Sequence, residues 1–163
     1  MEMIARAVLM GIGATLLIDL WAIFLKRAFG VSSLDYAMVG RWLGHMPAGR
    51  FTHPAISAAP SVRGERVIGW AAHYAIGIIF AGLLLAAYGQ DWARQPSLGP
   101  ALIVGILTVA APFFIMQPGL GFGVAASKRP KPNVARLRSL ATHALFGVGL
   151  FVSAYILAQL IPP

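Results

Sequence analysis

Three ionisable side chains stand inside apolar runs of this chain: Asp19, His73 and His143. A carboxylate and two imidazoles can pass protons, form a coupled substrate site or bind a transition metal. Their placement is costly, since an Asp at mid-membrane costs at least ~2.5–3.5 kcal/mol on the insertion scale. Their spacing is related. Asp19 lies seven residues before Lys26, His73 seven after Arg66, and His143 seven after Arg136. At ~1.5 Å of helical rise per residue, all three fall roughly 10 Å inside one basic boundary. Gln117 ends a further apolar run near the same depth. One polar side chain from each run would then meet in a single layer.

Residues four apart share a helical face. Ala7, Gly11, Thr15 and Asp19 make one row, Gly69, His73, Gly77 and Ala81 a second, and Ser139, His143 and Gly147 a third. In lipid, small residues mark surfaces where helices pack closely, so these rows aim the ionisable groups at neighbouring helices. The pattern Ala72-His73-x-x-x-Gly77 recurs as Thr142-His143-x-x-x-Gly147, which suggests a duplicated two-helix hairpin.

The elements that must carry these groups follow from composition. Of 163 residues, 58% are hydrophobic and only 11% charged, whereas soluble domains average ~25% charged. Such a chain places much of its apolar surface in lipid. Four runs of about 20 residues are long enough to cross: 7–25, 67–88, 98–116 and 139–161. The first lacks an Ala-x-Ala cleavage site and ends in Lys26-Arg27, so it reads as a retained span. The fold class is all-α: a polytopic membrane four-helix bundle forming one transmembrane domain over residues 1–163.

Charge sets the direction. Lys26, Arg27, Arg41, Arg50, Arg63 and Arg66 lie in the 26–66 connector. Lys128, Arg129, Lys131, Arg136 and Arg138 lie in the 117–138 connector, leaving only Arg6 and Arg94 on the opposite side. The positive-inside rule places both connectors in the cytoplasm and both termini in the periplasm of a bacterial inner membrane. The net charge of +8 is explained this way without nucleic acid, because no basic domain stands outside the spans. The partners expected are the bilayer, anionic headgroups at Lys128, Arg129 and Lys131, and a second copy through the small-residue rows.

Within the 26–66 connector, Ser32-Ser33-Leu34-Asp35 has the form of a helix start, with Ser32 as cap and Asp35 three residues on. Met38, Val39, Trp42, Leu43 and Met46 then share an apolar arc. This reads as a short cytoplasmic interfacial helix with Trp42 in the headgroups. A helix tucked against the bundle is the alternative. The Gln117-Pro-Gly-Leu-Gly-Phe-Gly123 stretch departs from nucleotide-loop spacing and reads as a tight turn or a close backbone approach.

The stretches Gly11-Ile-Gly-Ala-Thr-Leu-Leu-Ile-Asp19-Leu-Trp21, Ser33-Leu-Asp-Tyr-Ala-Met-Val-Gly-Arg-Trp-Leu-Gly44 and Gly69-Trp-Ala-Ala-His-Tyr-Ala-Ile-Gly77 resemble a family of bacterial inner-membrane proteins known only as a domain of unknown function. The resemblance extends through Met116-Gln-Pro118 and Thr142-His143. It implies four spans and carries no activity or catalytic residue with it.

The chemistry is thereby narrowed. Cysteine is absent, which excludes disulfides and thiolate sites. No acid/base pair of hydrolase type is evident among the remaining acids, so an enzyme is not expected. The sequence assigns no activity; the layer of Asp19, His73, His143 and Gln117 allows proton-linked transport of a small solute. The layout is similar to small multidrug transporters in its four spans and its first-span carboxylate, but the paired histidines have no counterpart there. Metal or haem binding, with His73, His143 and Asp19 as candidate ligands, and a structural or accessory role are the alternatives. No cofactor is implied.

Overall fold

A computed structural model describes residues 2–160. Over these residues the chain is helical, with no strand. Five helices carry the fold: α1 (Glu2–Phe29), α2 (Tyr36–His45), α3 (Glu65–Arg94), α4 (Leu98–Gly119) and α5 (Pro132–Leu160). All but α2 are long and apolar enough to cross a membrane. Ile161, the last residue of the expected fourth span, lies outside the described residues.

Each long helix overruns the apolar run that marks it. α5 starts at Pro132, where a proline costs no hydrogen bond and its fixed φ suits a first helical position. Arg136 and Arg138 are therefore helical rather than part of a loop. α4 loosens to a turn at residues 108–109, where Pro112 supplies no amide to the carbonyl four residues back, then widens to a π turn over Pro112–Met116 and ends at Gly119. α3 breaks where expected: Gly89, just past the 67–88 run, takes φ 74° and ψ −172°.

The chain forms two compact units. One comprises the residues up to Ser33, Tyr74–Thr108 and those from Ala141 onward. Its core includes Met10, Ala14, Ala81, Leu84, Ala101 and Leu150, each almost wholly buried. The small-residue rows mark its helix crossings. A Cβ on Gly11 would stand 2.5 Å from the Ile78 Cα, one on Gly105 2.5 Å from the Gly147 Cα, and one on Gly149 2.7 Å from the Ala14 Cα. The repeated motif is used alike at both sites: Gly77 receives α1 at Thr15, and Gly147 receives α4 at Ala101. Outward lie Leu20, Ile79, Leu83, Leu107 and Ile156, each at least half exposed. An apolar exterior of this kind suits lipid rather than water.

The other unit comprises Leu34–His73 and Val109–Leu140. Its core is Trp42, Ile56 and Leu120, ringed by Leu34, Met38, Leu43, Met46, Met116 and Phe122. Here two sequence expectations are corrected. The cap of α2 is Asp35, not Ser32: Asp35 is extended (φ −79°, ψ 110°) and its carboxylate accepts the Ala37 amide at 3.0 Å. Asp35 thus serves as the cap itself rather than as the distal partner of a Ser32 box.

Trp42, in turn, does not face headgroups. It is 7% exposed, its indole donates to the Phe51 carbonyl at 2.7 Å, and it packs on Gly119, where a Cβ would meet the ring at 2.5 Å. Burial of the large ring against a glycine outweighs an interfacial position once the indole N–H has an internal acceptor. Helix α2 is accordingly tucked in. Gly40 and Gly69 let the backbones of α2 and the first turns of α3 touch, Gly40 against the Glu65 carbonyl and Gly69 against that of Tyr36. The glycines after Gln117 act as expected: Gly119 admits Trp42, and Gly121 (φ +86°) passes close to the carbonyls of His53 and Pro54.

Arg41 locks this unit. Its guanidinium donates to both Glu65 carboxylate oxygens at 2.8 Å, and to the carbonyls of Ile56, Ser57 and Ala59 at 3.1–3.4 Å. Glu65 also accepts the Val62 amide at 2.9 Å, completing the start of α3. The hydrogen bond with Glu65 holds the Arg41 pKa above its ordinary value, so the guanidinium stays charged at every physiological pH.

Candidate functional site

Each polar residue of the expected layer is held by a hydroxyl. Asp19, half-buried on α1, accepts a hydrogen bond from the Tyr74 hydroxyl of α3 at 2.9 Å. The bond lies beyond the Gly11–Ile78 crossing, two helical turns along α1, where the close approach of backbones brings a carboxylate within reach of a phenol. It is a charge-assisted bond when Asp19 is ionised.

His143 on α5 lies 2.8 Å from the Thr108 hydroxyl of α4, with Nδ1 as the contacting atom. That hydroxyl also donates to the Gly105 carbonyl at 2.5 Å. A carbonyl only accepts, so the single hydroxyl proton is committed to Gly105. The imidazole must then donate through Nδ1–H, and neutral His143 carries its lone pair on Nε2.

His73 on α3 meets the Tyr36 hydroxyl through Nε2 at 3.1 Å, with ring centroids 4.2 Å apart. Tyr36 also packs on Trp70, centroids 4.6 Å apart. Tyr36 opens α2, so the Asp35 cap that sets the start of this helix also sets the tyrosine. Gln117, at the end of the π turn, is 7% exposed; its Nε2 donates to the Ser139 hydroxyl at 3.5 Å. Its carbonyl oxygen has no hydrogen-bond partner among the described residues.

Asp19 and His143 belong to one compact unit, His73 and Gln117 to the other. Among the described residues, no group of three His, Asp or Glu side chains is placed to hold a metal ion. The reading of His73, His143 and Asp19 as a two-histidine, one-carboxylate ligand set therefore gains no support. Lys128, Arg129 and Lys131 are exposed, as a headgroup contact requires, and the Arg129 guanidinium lies 4.6 Å over the Phe122 ring.

Sequence reasoning missed the hydroxyls. Tyr74 adjoins His73 but points about 100° away around the helix, so a row of residues four apart passes over it. Thr108 sits where α4 begins to depart from regular α geometry, and Tyr36 belongs to a connector whose path no periodicity gives.

Residues 8–157 match the family model described as a protein of unknown function, DUF2938. No curated protein and no solved structure matches the chain. The match covers nearly the whole chain, which belongs to the DUF2938 family.

Proposed function

We propose that this member of the DUF2938 family resides in a bacterial inner membrane, with its basic connectors cytoplasmic and its termini periplasmic, and moves a small solute coupled to protons. The charge asymmetry of the connectors supports the orientation. One observation carries the functional reading: Asp19, His73 and His143 are each paired with a hydroxyl group. A hydroxyl both donates and accepts. Tyr74 donates to ionised Asp19 and can accept from the protonated acid. Tyr36 can meet either tautomer of His73. A change of protonation therefore leaves each titratable group with its hydroxyl partner, which a purely structural ion pair does not offer.

In this reading Asp19 takes up and releases the coupled proton. Its protonation weakens the bond from Tyr74 and frees α1 to move against α3. His73 and His143 are the other groups whose charge can change within the membrane.

The test is proton movement in vesicles reconstituted with the purified protein and filled with pyranine, under an imposed pH gradient, with and without a panel of small amines, cations and neutral solutes. Solute-dependent proton flux is expected, lost in Asp19→Asn and retained in Asp19→Glu. Flux that is unchanged in Asp19→Asn, or no flux with any solute, rejects the proposal and leaves a structural or accessory role.

A further inference from the structure

A second pair of titratable groups lies outside the spans and plays no part in the proton reading. His45 ends α2, and His53 follows in the connector. Pro47 interrupts any helical spacing between them, yet His45 Nδ1 and His53 Nε2 face each other at 2.8 Å, with ring centroids 5.0 Å apart. Both residues are half-buried, so one edge of the pair is open to solvent.

Each half is held in place. The His53 amide donates to the Gly119 carbonyl at 3.0 Å, and the Ile56 amide to that of Leu120 at 3.1 Å. The Arg50 amide donates to the His45 carbonyl at 3.3 Å, and Trp42 holds the Phe51 carbonyl. The imidazole of His53 is oriented as well: its Nδ1 faces the Gly119 carbonyl at 3.4 Å. Since that carbonyl only accepts, Nδ1 carries the proton and Nε2 presents its lone pair toward His45. An outer carbonyl that fixes the tautomer and aims the opposite nitrogen is the usual support of a metal-ligating histidine.

We propose that His45 Nδ1 and His53 Nε2 chelate a late divalent transition ion, Cu(II) before Ni(II) or Zn(II). With metal–nitrogen bonds of ~2.0–2.1 Å, two ligands at a right angle stand ~2.9 Å apart, and two at a tetrahedral angle ~3.3–3.4 Å. The pair at 2.8 Å already has the nitrogen separation of a square-planar ion; with ring centroids 5.0 Å apart the nitrogens point at each other, so each ring must turn by about 45° to aim its lone pair at the metal. Imidazole nitrogen suits these metals, and Cu(II) heads the affinity order. On binding, the ion takes the place of the hydrogen between the two nitrogens, and the proton on His45 Nδ1 moves to its Nε2. No net charge has to leave the protein. No third His, Asp or Glu among the described residues completes a metal group, so the open edge supplies water as the remaining ligands. The ion would tie the end of α2 to the strand of connector pinned on residues 119–120.

The experiment uses the full chain in nanodiscs, purified through a tag without histidine and titrated with Cu(II) near neutral pH. Calorimetry should show one saturable equivalent, and the electron paramagnetic resonance spectrum should show coupling to two nitrogens. His45→Ala and His53→Gln should each weaken binding by more than the ~10–100-fold that loss of an outer hydrogen bond costs. His73→Ala and His143→Ala should bind as the wild type does. Because the nitrogen count is read on the unaltered protein, it stands even if a variant misfolds. No saturable equivalent, a spectrum without two nitrogens, or equal binding by folded His45→Ala and His53→Gln overturns the proposal.

Discussion

If the Asp19–Tyr74 bond is the one that protonation weakens, its energy must depend on the charge of Asp19, and a double-mutant cycle reads that directly. The bond is 2.9 Å long and joins α1 to α3. Hydrogen bonds to charged groups contribute about 1.5–3 kcal/mol in water-soluble folds. Interhelical bonds in membranes average only about 0.6 kcal/mol and reach about 1.7, because the helices find other partners when separated. The membrane reference state governs here, and the ionic acceptor puts this pair near the top of its range. A coupling of about 1–1.7 kcal/mol between Asp19→Asn and Tyr74→Phe is therefore expected with Asp19 ionised. Tyr74→Phe alone should cost about 1–3 kcal/mol, since it takes a donor from a half-buried carboxylate. The assay is unfolding in mixed micelles titrated with SDS, followed by circular dichroism, for wild type, both single variants and the double variant, near neutral pH and in acid. Coupling should fall by at least half in acid, where the bond between the phenol and a neutral carboxyl is no longer charge-assisted. Coupling within the ~0.3–0.5 kcal/mol scatter of independent sites, or coupling of equal size at both pH values, would show that the bond does not sense the charge of Asp19.

Further outcomes follow from the local packing. Gly11→Ala should cost about 1–3 kcal/mol in the same unfolding assay, because the new Cβ meets the backbone of Ile78 at 2.5–2.7 Å. Gly82→Ala, where nothing lies within 4 Å, should be neutral or slightly stabilising. Trp42→Ala should destabilise by about 3–5 kcal/mol, and Trp42→Phe by less, since phenylalanine retains most of the packing on Gly119 and loses only the bond to Phe51. Arg41→Lys should speed protease cleavage within the 46–64 connector, because an ammonium cannot hold both Glu65 oxygens and three carbonyls at once; cleavage at the wild-type rate would contradict that role.

The spans were legible because length and hydropathy alone decide them, and α1, α3, α4 and α5 each contain the run assigned to them over the described residues. The small-residue rows were legible for the same kind of reason: in lipid, Gly11, Gly77 and Gly147 have no better use than contact between backbones. What escaped was whatever depends on chain outside the periodic segments. Trp42 carries the signature of an interfacial aromatic, and only the path of residues 51–56 shows that its indole has an internal acceptor. Tyr36 and His53 sit in irregular or helix-initial chain, so neither the Tyr36–His73 bond nor the His45–His53 pair has any trace in spacing. Asp35 was placed as the distal half of a capping box, when a short acidic side chain caps as well as serine does.

The hydroxyl partners bear on function beyond what the ionisable residues alone suggest. If the purpose of Asp19 were only to fix helix register, the cheapest partner would be a group of fixed polarity, and an Asn–Ser pair would avoid placing a carboxylate in the span at all. A phenol is a bulky partner for such a role. What it adds is reversibility, since the same oxygen that donates to a carboxylate accepts from a carboxylic acid. His143 shows the contrasting case on the same fold: Thr108 has already committed its proton to Gly105, so this hydroxyl can only accept, and the imidazole is the donor whether neutral or charged. The Thr108 contact therefore keeps its direction when His143 changes charge, whereas the direction of the Tyr74 contact can reverse when Asp19 does. Of Asp19 and His143, Asp19 is the one whose change of charge can reverse its bond to the neighbouring helix.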